Sequence, residues 1–201
     1  MILEHNDIKK AIIRSQHCQR NWDLSKELPQ EDLELIVYAA SNCPSKQNVS
    51  FYNVHAITNR DVIEKIYSTT SGFSYEGREM TNSQVLANLV LVFSANNSRI
   101  ADWRREQGTR DQSLLRDQQM ATGVAAGYTN LLSSMLGYNT GCCACFNNKE
   151  VGEILGLEDD VLLIMGIGFK DGERNRRVHH EDETFTFPSF KKEEINVTYI
   201  K

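Results

Sequence analysis

The stretch Gln16-His17-Cys18-Gln19-Arg20-Asn21-Trp22-Asp23 decides how this sequence folds, although alone it is only a polar loop with one arginine and one tryptophan. Its setting gives it meaning. It follows a segment, Asp7 to Ser15, that reads as a helix, and it precedes a second predicted helix opening at Pro29. Glu31 and Asp32 suit the positive end of that second helix, and Leu33, Ile36, Val37 and Ala40 share one face. Three further segments stand downstream in order: Pro44-Ser45-Lys46-Gln47-Asn48, Thr81-Asn82-Ser83-Gln84-Val85-Leu86-Ala87-Asn88, and Leu136-Gly137-Tyr138-Asn139-Thr140-Gly141 followed by Cys142 to Phe146.

Regular structure fills the intervals. Tyr52 to Ile57 has a strand pattern, and Asn59 offers an N-cap for a helix bearing Val62, Ile63, Ile66 and Tyr67. Leu89 to Ser94 reads as a central strand. Asp111 to Leu136 predicts a long helix whose middle, Ala121 to Gly127, is made of small residues that let another backbone come close. Gly137 stops it; Asn139 to Phe146 is extended, Asn148 to Leu155 helical, and Val161 to Gly168 a second buried strand. Ile195 to Ile200 alternates like an edge strand with no partner close in sequence, which points to a distant sheet or to another subunit. The class is α+β or mixed α/β. No repeat, low-complexity tract or linker divides the chain, so one domain over residues 1–201 is expected.

With 201 residues the chain can bury a working core without disulfide or metal staples, and 40% hydrophobic with 24% charged residues is ordinary globular material. A net charge of -5 and a pI near 5.6 argue against nucleic acid as the main partner. The first residues lack the pattern of a secretory signal, and no apolar run reaches membrane-span length, so a cytoplasmic protein without a membrane partner is expected. Five cysteines, an odd number, do not form a secreted disulfide framework.

Taken in series, the four segments resemble the signature elements of the nitroreductase family, over about Asp7 to Arg177. Gln16 to Asp23 is similar to the family's Arg-Xaa-Ser-Xaa-Arg/Lys-Xaa-Phe, with Arg20 at the basic position, Trp22 at the aromatic one, and His17 meeting the ribityl phosphate region through its backbone. Gln16 and Cys18 depart from that pattern, removing a cation and a hydroxyl. Pro44 to Asn48 resembles the family's Pro-Ser-Xaa-Xaa-Asn, which brings Pro44, Ser45, Lys46 and Asn48 to a flavin bound mainly by the other subunit. Asn82 and Gln84 match amides that pair with the flavin pyrimidine edge. Cys142, Cys143 and Ala144 fall in the loop that passes along the ring, and Arg174 and Arg176 match the basic pair that grips the phosphate.

The resemblance implies a central, mostly antiparallel sheet flanked by helices, in an intertwined homodimer with exchange of the C-terminal strand. It implies flavin mononucleotide (FMN) as cofactor, NADH or NADPH as electron donor, and a flat electrophile such as a nitroaromatic or quinone as the small-molecule acceptor. No protein acid or base is obligatory, because the flavin carries the hydride. Arg20 would stabilise the negative charge of the reduced flavin.

Other readings compete with it. Cys142 and Cys145 form a Cys-Xaa-Xaa-Cys that suits a redox disulfide or half a zinc site, but zinc needs about four ligands and only His179-His180 accompanies the pair. No metal is expected, and with no Lys, Arg or His flanking the loop its thiols are expected to line a pocket rather than to react. Gly166-Ile167-Gly168 lacks the spacing of a dinucleotide-binding turn. Within the family's fold, a dehalogenating or flavin-modifying enzyme is the alternative, as is a non-catalytic flavin or thiol sensor. The charged run Arg99 to Arg116 around Trp103 reveals no substrate.

Overall fold

The computed structural model describes residues 4–107 and 114–200. Its centre is β4 (Leu89–Ala95), buried at every position. Strand periodicity sends Leu89, Leu91 and Phe93 to one face and Val90 and Val92 to the other, so one apolar run feeds two cores. Antiparallel partners flank it, β1 (Tyr52–Ile57) on one side and β6 (Val161–Gly168) on the other. β5 (Asn139–Cys143) pairs antiparallel beyond β6, giving the order β1-β4-β6-β5. The class is mixed, with an antiparallel sheet between helical layers.

On the first face lie α2 (Gln30–Ser41) and α5 (Leu114–Met135), which bring Ile36, Ala40 and Ala125 against Leu91, Phe93 and Met165. α1 (His5–Ser15) packs along α5. On the second face α3 (Arg60–Ser68) and α6 (Asn148–Leu155) cover Val90, Val92 and Ile164 with Ile63, Ile66 and Val151. The Asn59 side chain caps α3 by accepting from the Val62 amide, as its position before the apolar run predicts.

Three features bear on the expectations. The predicted helix from Asp111 begins outside the described residues, and its described part is α5. A separate helix, α4 (Asn97–Gln107), occupies the charged run, where Ile100 and Trp103 bury one side against Phe51. A short hairpin of β2 (Phe73–Tyr75) and β3 (Arg78–Met80) was not foreseen; it turns through Glu76 and Gly77, both at positive φ. The tail Ile195 to Ile200 forms no ladder with any described strand of the chain, and Ile200 is 94% exposed. Among the described residues, no helix is long and apolar enough to cross a membrane.

Two glycines set the floor of the region described next. Gly141 of β5 and Gly166 of β6 are cross-strand partners. A Cβ on Gly141 would lie 2.8 Å from the Gln19 carbonyl oxygen, and one on Gly166 only 2.0 Å from that of Gln84. Both loops therefore lie on the bare backbone of the sheet. Gly166→Ala is expected to cost about 3 kcal/mol in urea unfolding, the upper range for overpacking. Gly172→Ala, where nothing lies within 4 Å, should stay within about 0.5 kcal/mol of wild type.

Candidate active site

The segment after α1 runs beside the end of the sheet. Gln19 N donates to the Thr140 carbonyl at 2.8 Å and Asp23 N to that of Phe169 at 2.9 Å, while Asp171 N donates back to Asn21 at 3.0 Å. Gln19, buried, turns the chain by accepting with Oε1 from the Arg20 and Asn21 amides at 2.9 and 3.1 Å. Trp22 Nε1 donates to the Ser83 carbonyl at 2.8 Å, and Asn21 Nδ2 to the carbonyls of Asn175 and Val178 at 2.8 and 2.9 Å. Three segments distant in sequence are thereby drawn to one place. They are Gln16–Asp23, Asn82–Gln84 and the basic stretch at 174–177.

Arg20 and Arg176 face this junction. Arg176 Nη1 donates to the Cys18 carbonyl at 3.1 Å. Gln84, oriented so that its amide nitrogen faces the Cys142 carbonyl, accepts from Arg20 Nη2 at 3.0 Å. Among the described residues, neither arginine forms an ion pair with a carboxylate, and Arg20 Nε is buried without a partner. Burial pushes the Arg20 guanidinium below its ordinary value; the Cys18 thiol opposes this and Arg176 adds to it. Two adjacent cations with no counter-charge form a place for an anion.

The remaining predicted residues divide. Gln16 and His17 are exposed at the rim, Cys18 is half-buried beside them, and Ala144 is exposed on the β5 loop. Asn82 and Gln84 are buried; the Asn82 side chain accepts from the Gln84 amide, and the Gln84 side chain lies between Arg20 and the Cys142 carbonyl. Arg174 has partners of its own: its Nη2 donates to the His179 carbonyl at 2.7 Å and lies 3.5 Å from Glu183 Oε1, while its Nε is buried without a hydrogen-bond partner.

Pro44, Ser45, Lys46 and Asn48 lie elsewhere in the chain. Lys46 Nζ sits 2.7 Å from the buried Asp117 carboxylate near the start of α5, and Ser45 Oγ donates to the Val49 carbonyl at 2.8 Å. Gln47 and Asn48 both have positive φ, a conformation uncommon for non-glycine residues and held here by the buried Trp103, whose Nε1 donates to Gln47 Oε1 at 2.8 Å. Toward its other end α5 holds the Arg20 region, with Asn130 bonding both the Ser15 carbonyl and Thr140. Asp117 and Asn130 are roughly 20 Å apart along the helix axis. The two halves of the predicted site thus lie far apart within one chain.

Burial suppresses the reactivity of Cys142 and Cys143, whereas Cys145 is exposed. Burial raises Cys142 to about 12 and Cys143 to about 11. Arg20, remote in sequence but close in space, pulls Cys143 the other way without overcoming burial. The cation comes from outside the residues that flank the loop, and it does not activate the thiol. Among the described residues, no group of three or more His, Cys, Asp or Glu is placed to hold a metal ion.

Two residues of weight were not visible in the sequence. Phe187 lies under Arg20, with the guanidinium carbon 4.2 Å from the ring centre, and Trp103 clamps the Pro44–Asn48 loop.

The model of the Nitroreductase family matches residues 13–169. Comparison with curated proteins gives no significant match. Among solved structures, nitroreductase A from Vibrio parahaemolyticus superposes with a TM-score of 0.69 at 17% identity, covering 96% of this chain and 80% of that one. A candidate nitroreductase from Exiguobacterium sibiricum in complex with FMN gives 0.65 at 14%, covering 96% and 95%. A candidate NAD(P)H:FMN oxidoreductase from Staphylococcus epidermidis gives 0.66 at 15%, covering 87% and 92%. The fold is that of the nitroreductases, and the family match spans Arg20, Gln84 and the β5 loop.

The thiol environments predict an order of labelling. Near neutral pH, iodoacetamide should modify the exposed Cys145 first and leave Cys142 and Cys143 protected in the folded protein, becoming reactive only as the pH approaches their raised values. Peptide mapping by mass spectrometry reads the order; early labelling of Cys143 would contradict the burial argument.

Proposed function

The chain belongs to the Nitroreductase family, and on that premise we propose that it is an FMN-dependent oxidoreductase. In this reading, NADH or NADPH is the electron donor, and nitroaromatics, quinones or related flat electrophiles are the acceptors. One observation carries the reading: among the described residues, Arg20 and Arg176 stand together with no carboxylate partner, on a platform of Gln84 and the β5 loop. The residues fit the cofactor, since a phosphate and a ring that becomes anionic on reduction both need fixed positive charge, and Arg20 Nε is buried without a partner.

The redox chemistry belongs to FMN, which when bound exchanges hydride with a nicotinamide and electrons with an acceptor. The chain supplies binding and electrostatics. Arg176 is the phosphate ligand of this reading; the His17 amide, expected beside it, already donates to the Arg14 carbonyl at 3.1 Å. Arg174, occupied by His179 and Glu183, supports the turn that carries Arg176. Arg20 stabilises negative charge on the reduced ring, and the backbone of Cys142 to Ala144 lies along it. The raised Cys142 and Cys143 thiols weigh against a thiol relay or sensor.

The site is completed by a second copy in this reading. The Pro44–Asn48 loop, distant from Arg20 in its own chain, would serve the partner's cofactor. Three unpartnered surfaces support a homodimer. α5 exposes Met120, Gly123, Val124, Gly127 and Tyr128 along one face, where a backbone can approach closely. Among the described residues, β1 is an edge strand with no neighbour on its outer side. The tail presents Ile195, Val197 and Tyr199 in strand alternation, all exposed. Exchange of the tail onto the partner's β1 satisfies both. Each chain contributes one domain over residues 1–201.

Two outcomes are expected. Arg176→Ala should weaken FMN binding by about 1.5 to 3 kcal/mol, the scale of a lost charged hydrogen bond, in a fluorescence titration; unchanged affinity would remove Arg176 from the site. Light scattering at micromolar concentration should give a dimer, and deletion of residues 190–201 should shift it toward monomer with loss of FMN. A monodisperse monomer that keeps FMN would contradict the shared site.

A further inference from the structure

An arginine that must present its charge to a ligand needs to be held still without being neutralised. Arg20 has a long, flexible side chain and, among the described residues, no carboxylate to fix it. Two neighbours do so instead: Gln84 accepts from one Nη, and the guanidinium carbon lies 4.2 Å over the centre of the Phe187 ring. Ring faces attract cations through their quadrupole, within about 6 Å, yet add no negative charge.

Phe187 is itself immobilised. It is fully buried, its N donates to the Arg177 carbonyl at 2.8 Å, and Phe185 and Phe73 meet its ring edge-on at 4.9 and 5.6 Å between centres. The turn that carries it closes through the Val178 and Thr186 bridge and through His179 N donating to the Phe185 carbonyl at 2.9 Å. His179 Nδ1 accepts from the Glu181 and Asp182 amides, which leaves Nε2 to donate to Thr81 at 3.2 Å. Asp182 in turn binds Arg78 of β3 at 2.7 Å. The β2–β3 hairpin and residues 178–187 thus form an aromatic clamp, and Arg20 is the one cation on its ring face at Phe187 among the described residues.

We infer that Phe187 is a positioning residue for the cofactor: its ring holds Arg20 in place as an un-neutralised cation and so favours binding of reduced over oxidised FMN. The inference rests on the FMN reading above. A carboxylate in the place of Phe187 would hold the arginine as firmly but cancel the charge that distinguishes the two redox states. An aliphatic side chain would fill the space but leave the guanidinium held on one side only.

The test uses FMN-loaded protein in which Phe187 is replaced by mono-, di- and trifluorinated phenylalanine, which keep the ring shape while weakening its attraction for a cation. Thermal unfolding should change little along the series. The preference for reduced over oxidised FMN should fall stepwise, reaching about tenfold for the trifluorinated ring, which is a midpoint potential about 30 mV more negative for a two-electron couple. In an Arg20→Gln background the same series should leave the potential unmoved. A flat series in the Arg20 protein, with FMN bound, overturns the role of Phe187 alone. A wild-type protein that binds no FMN overturns the functional reading and this inference together.

Discussion

The active-site architecture rests on a close approach of backbone to backbone. At the register position shared by Gly141 and Gly166, the carbonyls of Gln19 and Gln84 come down onto the sheet closer than any side chain would allow. That contact fixes the segment after α1 and the segment before β4 against the same two strands. Arg20 and Gln84 then meet across it. The two cores formed by β4 hold the sheet rigid beneath.

On this floor the electrostatics are one-sided. The chain as a whole is acidic, with a net charge of -5, yet among the described residues Arg20 and Arg176 are left without carboxylates. Holding such a pair costs desolvation and like-charge repulsion, and the cost is offset only when an anion arrives. Instead of counter-ions the structure supplies neutral holders: an amide oxygen from Gln84, a backbone carbonyl from Cys18, and the face of Phe187. These orient the cations while leaving their charge for a ligand.

Much of this was legible because it is local. β1, α6 and β6 fall where the strand pattern of Tyr52 to Ile57, the predicted helix Asn148 to Leu155 and the apolar run Val161 to Gly168 place them, and Asn59 caps α3 as its position implies. The four segments in family order led to Arg20 and to the β5 loop. What escaped depends on distance in sequence or on weak local patterns. The strands Phe73–Tyr75 and Arg78–Met80 are short and mixed in polarity, and α4 hides two buried residues, Ile100 and Trp103, in a charged run. The Arg20 to Phe187 stack and the divergence of Arg174 from Arg176 arise from tertiary packing of the 178–187 turn. The tail has the alternation of a strand, but it pairs with no described strand of the chain.

The central claim is that this pair of arginines serves a flavin. The most direct test is the absorbance spectrum of the purified protein, taken before and after anaerobic addition of NADH or NADPH. The account predicts a yellow protein with about one FMN per chain, whose visible bands bleach on addition of one of the two donors and return when a quinone is added. A colourless protein that takes up no added FMN, or a bound flavin that neither donor can bleach, would contradict it.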